Sequence, residues 1–325
     1  MQMLGRYEQT TKLSNQNAGT CRWCFAIRGG REFFIKEYME PRHPETDVVS
    51  SPEKREQKLK KCQKFEENKS RIFHCLNAHS DGNAVRIEEF FRLGAKYYAV
   101  MPRIYGEEMT ESEIAALPDI QKRRICAVIC HALSGLHEAG FVHSDIKATN
   151  VLLQKTSGGF LTAKLIDYDA GFFEDTPPQT ADAIEGDQVY FAPEVCDALM
   201  GGPIRLSCKT DIFSLGVLLH QYMTGELPGF DRQRYTCVGE ASLQNGDVVI
   251  SWDMPEDIHR ILFQMLQKNP DARPSAWEAY LELSKPLMPE QKRVQEMENK
   301  QEENSAVVFQ GDSPAQAGWR TLGDL

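Results

Sequence analysis

The order of apolar and polar positions divides the chain into a strand-rich first third and a helix-rich remainder. Between residues 20 and 38, TCRWCFAI and EFFIKEY flank Arg28-Gly29-Gly30-Arg31, the pattern of two β-strands joined by a tight glycine turn. Residues 53–76 are rich in Lys, Glu and Gln, and Cys62, Phe65, Ile72 and Leu76 recur at helical spacing, which predicts an amphipathic helix. VRIEEFFRL and KYYAVMPRI then supply a second strand pair. After Gly106 the apolar period becomes helical, in IQKRRICAVICHALSGLHEAG, DIFSLGVLLHQYMTG and DIHRILFQMLQ. The expected fold is α+β, with a small antiparallel sheet and one main helix over residues 1–104 and a mostly helical body over 105–285. From 286 to 325 hydrophobicity falls and turn formers rise, predicting a polar C-terminal helix and a mobile tail. No internal repeat interrupts this plan.

Chemistry-bearing residues concentrate between the first two long helical runs. Val142-His143-Ser144-Asp145-Ile146-Lys147-Ala148-Thr149-Asn150 sets a carboxylate, an amine and an amide at fixed spacing inside apolar flanks, and Leu165-Ile166-Asp167 follows. Buried strands on either side would hold such a loop and present its polar tips. Transfer of a γ-phosphoryl group requires a divalent metal, a fixed amine and a base beside the attacking hydroxyl, and each requirement has a candidate in these residues.

These segments resemble the catalytic and metal-binding loops of the eukaryotic-type Ser/Thr protein kinases. The resemblance extends over roughly residues 5 to 285, with its motifs densest from Lys36 to Arg273, and it implies a bilobal kinase-like fold that uses ATP with Mg2+ or Mn2+. By its motifs, Asp145 accepts or orients the hydroxyl proton of the substrate, Lys147 touches the γ-phosphate, and Asn150 and Asp167 hold metal. Lys36, in Phe33-Phe34-Ile35-Lys36, corresponds to the strand lysine on the α and β phosphates. Glu66 is its expected helix partner, with Glu67 adjacent. Ser14 and Gly19 belong to the nucleotide loop, Met101 is the gatekeeper, and Pro102 to Ile104 supply the backbone facing adenine. Ala192-Pro193-Glu194, the helix beginning at Asp211-Ile212-Phe213 and Arg273 match the motifs that separate protein kinases from small-molecule kinases, including the Glu194–Arg273 pair.

The chain also departs from the family. Ser14-Asn15-Gln16-Asn17-Ala18-Gly19 keeps only the last glycine of the phosphate loop, so side-chain donors would replace some backbone approach. Asp167-Tyr168-Asp169 replaces the usual DFG. Ser144 replaces the arginine that clamps a phosphorylated activation loop, which argues against that mode of control. Asp187 stands where a threonine usually bridges the catalytic aspartate and lysine, and a carboxylate there could pair with Lys147.

Composition narrows the partners. A net charge of -10 among 325 residues argues against nucleic-acid and anionic-membrane surfaces and favours a protein substrate, basic ones above others. No apolar run approaches the roughly 18 to 20 residues that span a bilayer, and MQMLGRYEQTTKL lacks the apolar core of a signal peptide. Nine cysteines without framework spacing suit a reducing cytoplasm, and the Cys21/Cys24 CxxC has no second ligand pair. The leading expectation is a cytoplasmic Ser/Thr protein kinase. A pseudokinase scaffold is the alternative suggested by the altered loops, and a small-molecule phosphotransferase is the third class; the resemblance leans toward bacterial members.

Overall fold

The computed structural model describes residues 2–16, 19, 21–46, 50–79 and 82–287, so nearly all of the expected C-terminal helix and tail lies outside the described residues. The chain forms two compact units, each with its own core.

Met1–Ala78 and Val85–Tyr105 form the first unit. Its sheet contains β1 (Met3–Leu4), β2 (Tyr7–Gln9), β3 (Cys21–Arg28), β4 (Arg31–Tyr38), β5 (Glu89–Leu93) and β6 (Lys96–Pro102), in the antiparallel order β1-β2-β3-β4-β6-β5. The β3–β4 turn forms because Gly29 and Gly30 both take positive φ, 57° and 76°, as a two-residue hairpin following the right-handed strand twist requires. Strand alternation sends Cys24, Ala26, Phe33, Ile35, Tyr98 and Val100 into a core with Leu4, Tyr7 and Phe91.

The opposite face carries Lys36, aligned between Trp23 of β3 and Ala99 of β6. Helix α1 (Pro52–His79) overruns the expected 53–76 and buries Cys62, Lys69, Ile72, Phe73, Cys75 and Leu76. Its Phe65 meets the rings of Tyr38 and Tyr97 at 5.2 Å each. The expected strand VRIEEFFRL shortens to β5, because the Asn77 amide of α1 bonds both the N–H and the C=O of Ile87, at 2.9 Å each, and removes them from strand pairing.

His79–Ala84 and the described residues from Gly106 onward form the second unit. Its elements are α2 (Glu111–Ala115), α3 (Asp119–Glu138), β7 (Phe141–Val142), β8 (Val151–Lys155), β9 (Leu161–Leu165), β10 (Phe172–Phe173), α4 (Pro193–Leu199), α5 (Cys208–Thr224), α6 (Val238–Leu243), α7 (Glu256–Met265) and α8 (Ala276–Ser284). The three long helical runs of the sequence become α3, α5 and α7. Helix α5 is apolar nearly all round and correspondingly buried from Thr210 to His220. Ser207 and Thr210 form its capping box, and Gly225 ends it in the left-handed conformation at φ 83°. Two short antiparallel pairs, β7 with β10 and β8 with β9, frame the loops that carry Asp145 and Asp167.

Candidate active site

The loop between β7 and β8 is held from beneath by one buried carboxylate. Asp211, on the first turn of α5, is fully buried and accepts the N–H of His143 at 2.7 Å and that of Ser144 at 2.8 Å. The His137 ring donates to the same carboxylate at 2.9 Å. Two adjacent amides converging on one side chain require a sharp backbone turn, and Ser144 takes φ 68° to make it.

Beyond that turn lies Asp145. Its Oδ2 accepts from Lys147 Nζ at 2.9 Å and from Asn150 Nδ2 at 2.8 Å, and the same amide nitrogen reaches the Asp145 carbonyl at 2.8 Å. The other oxygen, Oδ1, is buried with no hydrogen-bond partner. Such an acceptor is unfavourable unless a donor arrives. Asn150 is itself buried, and its carbonyl accepts the N–H of Ile166 at 3.0 Å, tying the first loop to the residue before Asp167.

Asp167 occupies the left-handed region at φ 61°, and its Oδ1 receives the Asp169 N–H at 3.4 Å. Tyr168 is buried and donates its hydroxyl to the Leu165 carbonyl at 2.6 Å, so the tyrosine that replaces phenylalanine satisfies its polar atom inside the fold. A Cβ at Gly171 would sit 2.2 Å from the Phe141 ring, which makes glycine obligatory where the segment passes β7.

A divalent cation fits the donor set. With the Asn150 side-chain nitrogen turned toward Asp145, its side-chain oxygen and the Asp167 carboxylate are hard oxygen donors, a set suited to Mg2+ with water and phosphate completing the shell. Among the described residues no three His, Cys, Asp or Glu side chains gather into a self-sufficient metal cage.

Downstream, the activation-segment region is anchored twice. Arg273, 2% exposed, makes a bidentate pair with Glu194 at 2.7 and 2.8 Å and also donates to the Lys209, Gln267 and Lys268 carbonyls. Ser144 Oγ donates to the Glu185 carbonyl at 3.1 Å, and Gly186 lies so close that a Cβ would meet the Ser144 carbonyl oxygen at 2.6 Å. The suggested Asp187–Lys147 pair does not form. Lys147 is taken by Asp145, while Asp187 accepts the Val189 N–H at 3.0 Å because its position before a short 3-10 turn favours a local cap.

The remaining sequence candidates lie in the sheet unit. Lys36 is buried on β4. Glu66 is exposed on α1, and its carboxylate accepts the Tyr97 hydroxyl at 2.5 Å. Burial together with this bond pushes the Tyr97 phenol well above its ordinary range, so it remains a donor. The buried charge on α1 is Lys69, whose ammonium lies 4.9 Å from the Tyr38 ring centre and 5.8 Å from that of Phe65. Ser14 bridges to Trp23 through both backbone groups at 2.8 Å, and its Oγ accepts the Gln16 N–H. Gly19 takes φ 52°, Met101 and Pro102 pair with Phe34 and Phe33, and Ile104 follows Arg103, whose N–H reaches the Glu32 carbonyl at 3.0 Å.

Lys69, His137 and the Ser144–Glu185 contact were not anticipated. A signal for Lys69 existed, since it continues the spacing of Cys62, Ile72 and Leu76 along one helix face. The other two depend on loops meeting in space and leave no local pattern.

The sequence profile of the family described as protein kinase domain matches residues 46–282, most of the chain. The chain belongs to the protein kinase family. This kinase domain is 30% identical over 203 residues to the serine/threonine-protein kinase PkaA of Streptomyces coelicolor, covering 60% of this chain and 35% of that protein. It is 31% identical over 193 residues to the ovarian-specific serine/threonine-protein kinase Lok of Drosophila melanogaster, covering 58% and 37%. The matches thus span little more than a third of those two relatives. Among solved structures, Rad53 1-466 in complex with AMP-PNP superposes with a TM-score of 0.57 at 21% identity, covering 85% of this chain and 64% of that one. The Cydia pomonella granulovirus kinase PK-1 superposes with a TM-score of 0.58 at 18% identity, covering 86% and 93%. At these identities the superpositions establish the kinase fold, and the α+β expectation holds.

Proposed function

We propose that this kinase domain transfers the γ-phosphoryl group of ATP to Ser or Thr hydroxyls of a protein substrate. The observation that carries the reading is the asymmetry of Asp145. One oxygen is fixed by Lys147 and Asn150, and the other is a buried acceptor awaiting a donor. A substrate hydroxyl is such a donor, and Asp145 Oδ1 accepts its proton as the oxygen attacks phosphorus. Lys147, already pinned to Asp145, places its charge beside the transferring group. Asn150 and Asp167 would hold Mg2+ or Mn2+, which neutralises phosphate charge when bound. Lys36 would engage the α and β phosphates, with Ser14 and Gly19 at the nucleotide loop and Met101, Pro102 and Ile104 along the adenine edge. Glu66 is assigned to orient Lys36.

Substrate preference is read from charge. The exposed Glu174, Asp175, Asp182 and Glu185 add acid near the loop to a chain of net charge -10, which favours basic protein segments. Cytoplasmic residence is supported by nine cysteines that are all free thiols. Among the described residues no helix is long and apolar enough to cross a membrane.

The test is radiolabelled phosphate transfer from ATP, with Mg2+ or Mn2+, to the protein itself and to a basic acceptor. Asp145→Asn is expected to lower transfer by on the order of 10²- to 10⁴-fold, and Asp167→Asn to abolish it. Wild-type protein that binds nucleotide yet transfers nothing would replace this reading with a scaffold role.

A further inference from the structure

Two cysteines outside the phosphoryl-transfer site lie in sulfur contact. Cys196, on α4 two residues after Glu194, and Cys237, the N-cap residue of α6, are both buried with their Sγ atoms 3.7 Å apart. The backbone around them is clamped. A Cβ at Gly239 would fall 2.0 Å from the Phe191 carbonyl oxygen, so the start of α6 lies directly against the segment leading into α4. Gln188 Nε2 reaches Thr236 Oγ1 at 3.0 Å beside it. A disulfide bond is about 2.0 Å long, so the sulfurs, now 3.7 Å apart in direct contact, would close by roughly 1.7 Å to form it.

We propose that Cys196 and Cys237 are a reversible oxidation site, which hydrogen peroxide converts to a disulfide tying α4 to α6. The environments divide the work between the two thiols. Cys237 is drawn below its ordinary range by the S–H of Cys196 and, against burial, by the Glu240 and Gly239 N–H groups, while Cys196 is pushed up by its bond to Cys237 and by burial. The Cys237 sulfur, at the N-cap of α6, also accepts the Glu240 N–H at 3.4 Å, a bond that favours its thiolate and makes it the attacking sulfur with Cys196 the resolving one.

In the first step the Cys237 thiolate attacks one peroxide oxygen. The S–O bond forms, the O–O bond breaks, and the departing hydroxide takes up the proton that Cys237 released on ionising and leaves as water. In the second step the Cys196 sulfur attacks Cys237. The S–S bond forms, the S–O bond breaks, and the released hydroxide carries off the Cys196 proton as a second water. Two thiols lose two electrons and one peroxide becomes two waters. Cys126 and Cys130, buried in α3, have thiols pushed up by burial and are the internal control. The inference is independent of phosphoryl transfer.

The test treats the reduced full-length protein with graded hydrogen peroxide, blocks remaining thiols with N-ethylmaleimide under denaturing conditions, and maps peptides by mass spectrometry without reduction. A Cys196–Cys237 crosslink is expected at doses that leave Cys126 and Cys130 alkylated, and dithiothreitol should reverse it. In Cys196→Ser the crosslink disappears and Cys237 becomes labelled by dimedone as a sulfenic acid. In Cys237→Ser, Cys196 remains a thiol at the same dose. Recovery of both residues as thiols at doses that oxidise the control cysteines would overturn the proposal, as would Cys237 bonded to a different cysteine.

Discussion

The two units position their functional groups by different means. In the helical unit, the loops carrying Asp145 and Asp167 and the segment after them are fixed by buried side-chain contacts to backbone: Asp211 to two successive amides, Asn150 to the Asp145 carbonyl, Arg273 to three carbonyls as well as to Glu194. In the sheet unit, strand register sets the backbone positions of Lys36, Met101 and Pro102, and Ser14 reaches the sheet through an isolated bridge to Trp23. Loops need dedicated anchors, whereas a strand supplies its alignment through the ladder. Damage to one anchor should therefore have larger consequences in the helical unit than an equivalent change in the sheet unit.

The largest expected contrast is between two arginines. Arg273→Ala leaves Glu194 and several carbonyls without their donor, and loss of about 3–5 kcal/mol is expected. Arg6→Ala breaks a pair whose arginine side chain is 58% exposed, and about 0–1 kcal/mol is expected. Denaturant unfolding of both variants checks this, and equal losses would break the comparison.

Two glycines give a smaller contrast. Gly186→Ala drives a Cβ to 2.6 Å from the Ser144 carbonyl oxygen at a backbone φ of 143°. Gly19→Ala meets nothing within 4 Å and bears only the strain of φ 52°. Expected losses are about 3 kcal/mol for Gly186→Ala and about 1 kcal/mol for Gly19→Ala, read as shifts in thermal midpoint. Phosphate transfer by Gly186→Ala should fall as well, because Ser144 adjoins Asp145.

Acid should loosen the units in sequence, with the smallest effect. His220 of α5 accepts the Ser251 N–H at Nε2, at 3.1 Å, so its proton sits on Nδ1 and donates to the Glu226 carbonyl at 2.8 Å. Burial pulls its imidazolium below the ordinary value. The unfolded chain then binds the proton more readily, and stability contributed by the neutral ring declines as pH falls below about 6.5. Glu37 of the sheet unit is a different case: burial pushes its carboxyl up, but hydrogen bonds from Arg22, Lys96 and Tyr98 prevail and hold it below its ordinary value. Its contribution persists until pH falls below about 4.3. Hydrogen exchange by peptide should quicken around His220 first and around Glu37 only in stronger acid. His220→Gln should remove the earlier phase.

Legibility in the sequence divides local features from long-range ones in both units. The three long helices, the Gly29-Gly30 hairpin and the Asp145, Asn150 and Asp167 loops were readable because helical period, turn chemistry and fixed short spacing are local properties. The start of β5 was not, since Asn77 of α1 captures Ile87 from a distance in sequence. Nor was the fate of Asp187, where capping an N–H two residues on competed successfully with a distant lysine. The burial of Lys69 on α1 is likewise set by packing against the rings of Tyr38 and Phe65 rather than by its charge. The contact between Cys196 and Cys237 joins residues 41 apart and had no signature at all.

The helical unit owns His79–Ala84, a stretch encoded inside the sequence of the sheet unit. Within that unit the Asn83 carbonyl accepts the Leu165 N–H at 2.9 Å, and the His79 carbonyl presses against Gly135, where a Cβ would lie 2.7 Å away. No single cut in the gene can therefore separate the two units. A clone beginning at Gly106 would lack a strip of its own wall, and a fragment-complementation experiment would have to supply that strip as a third piece.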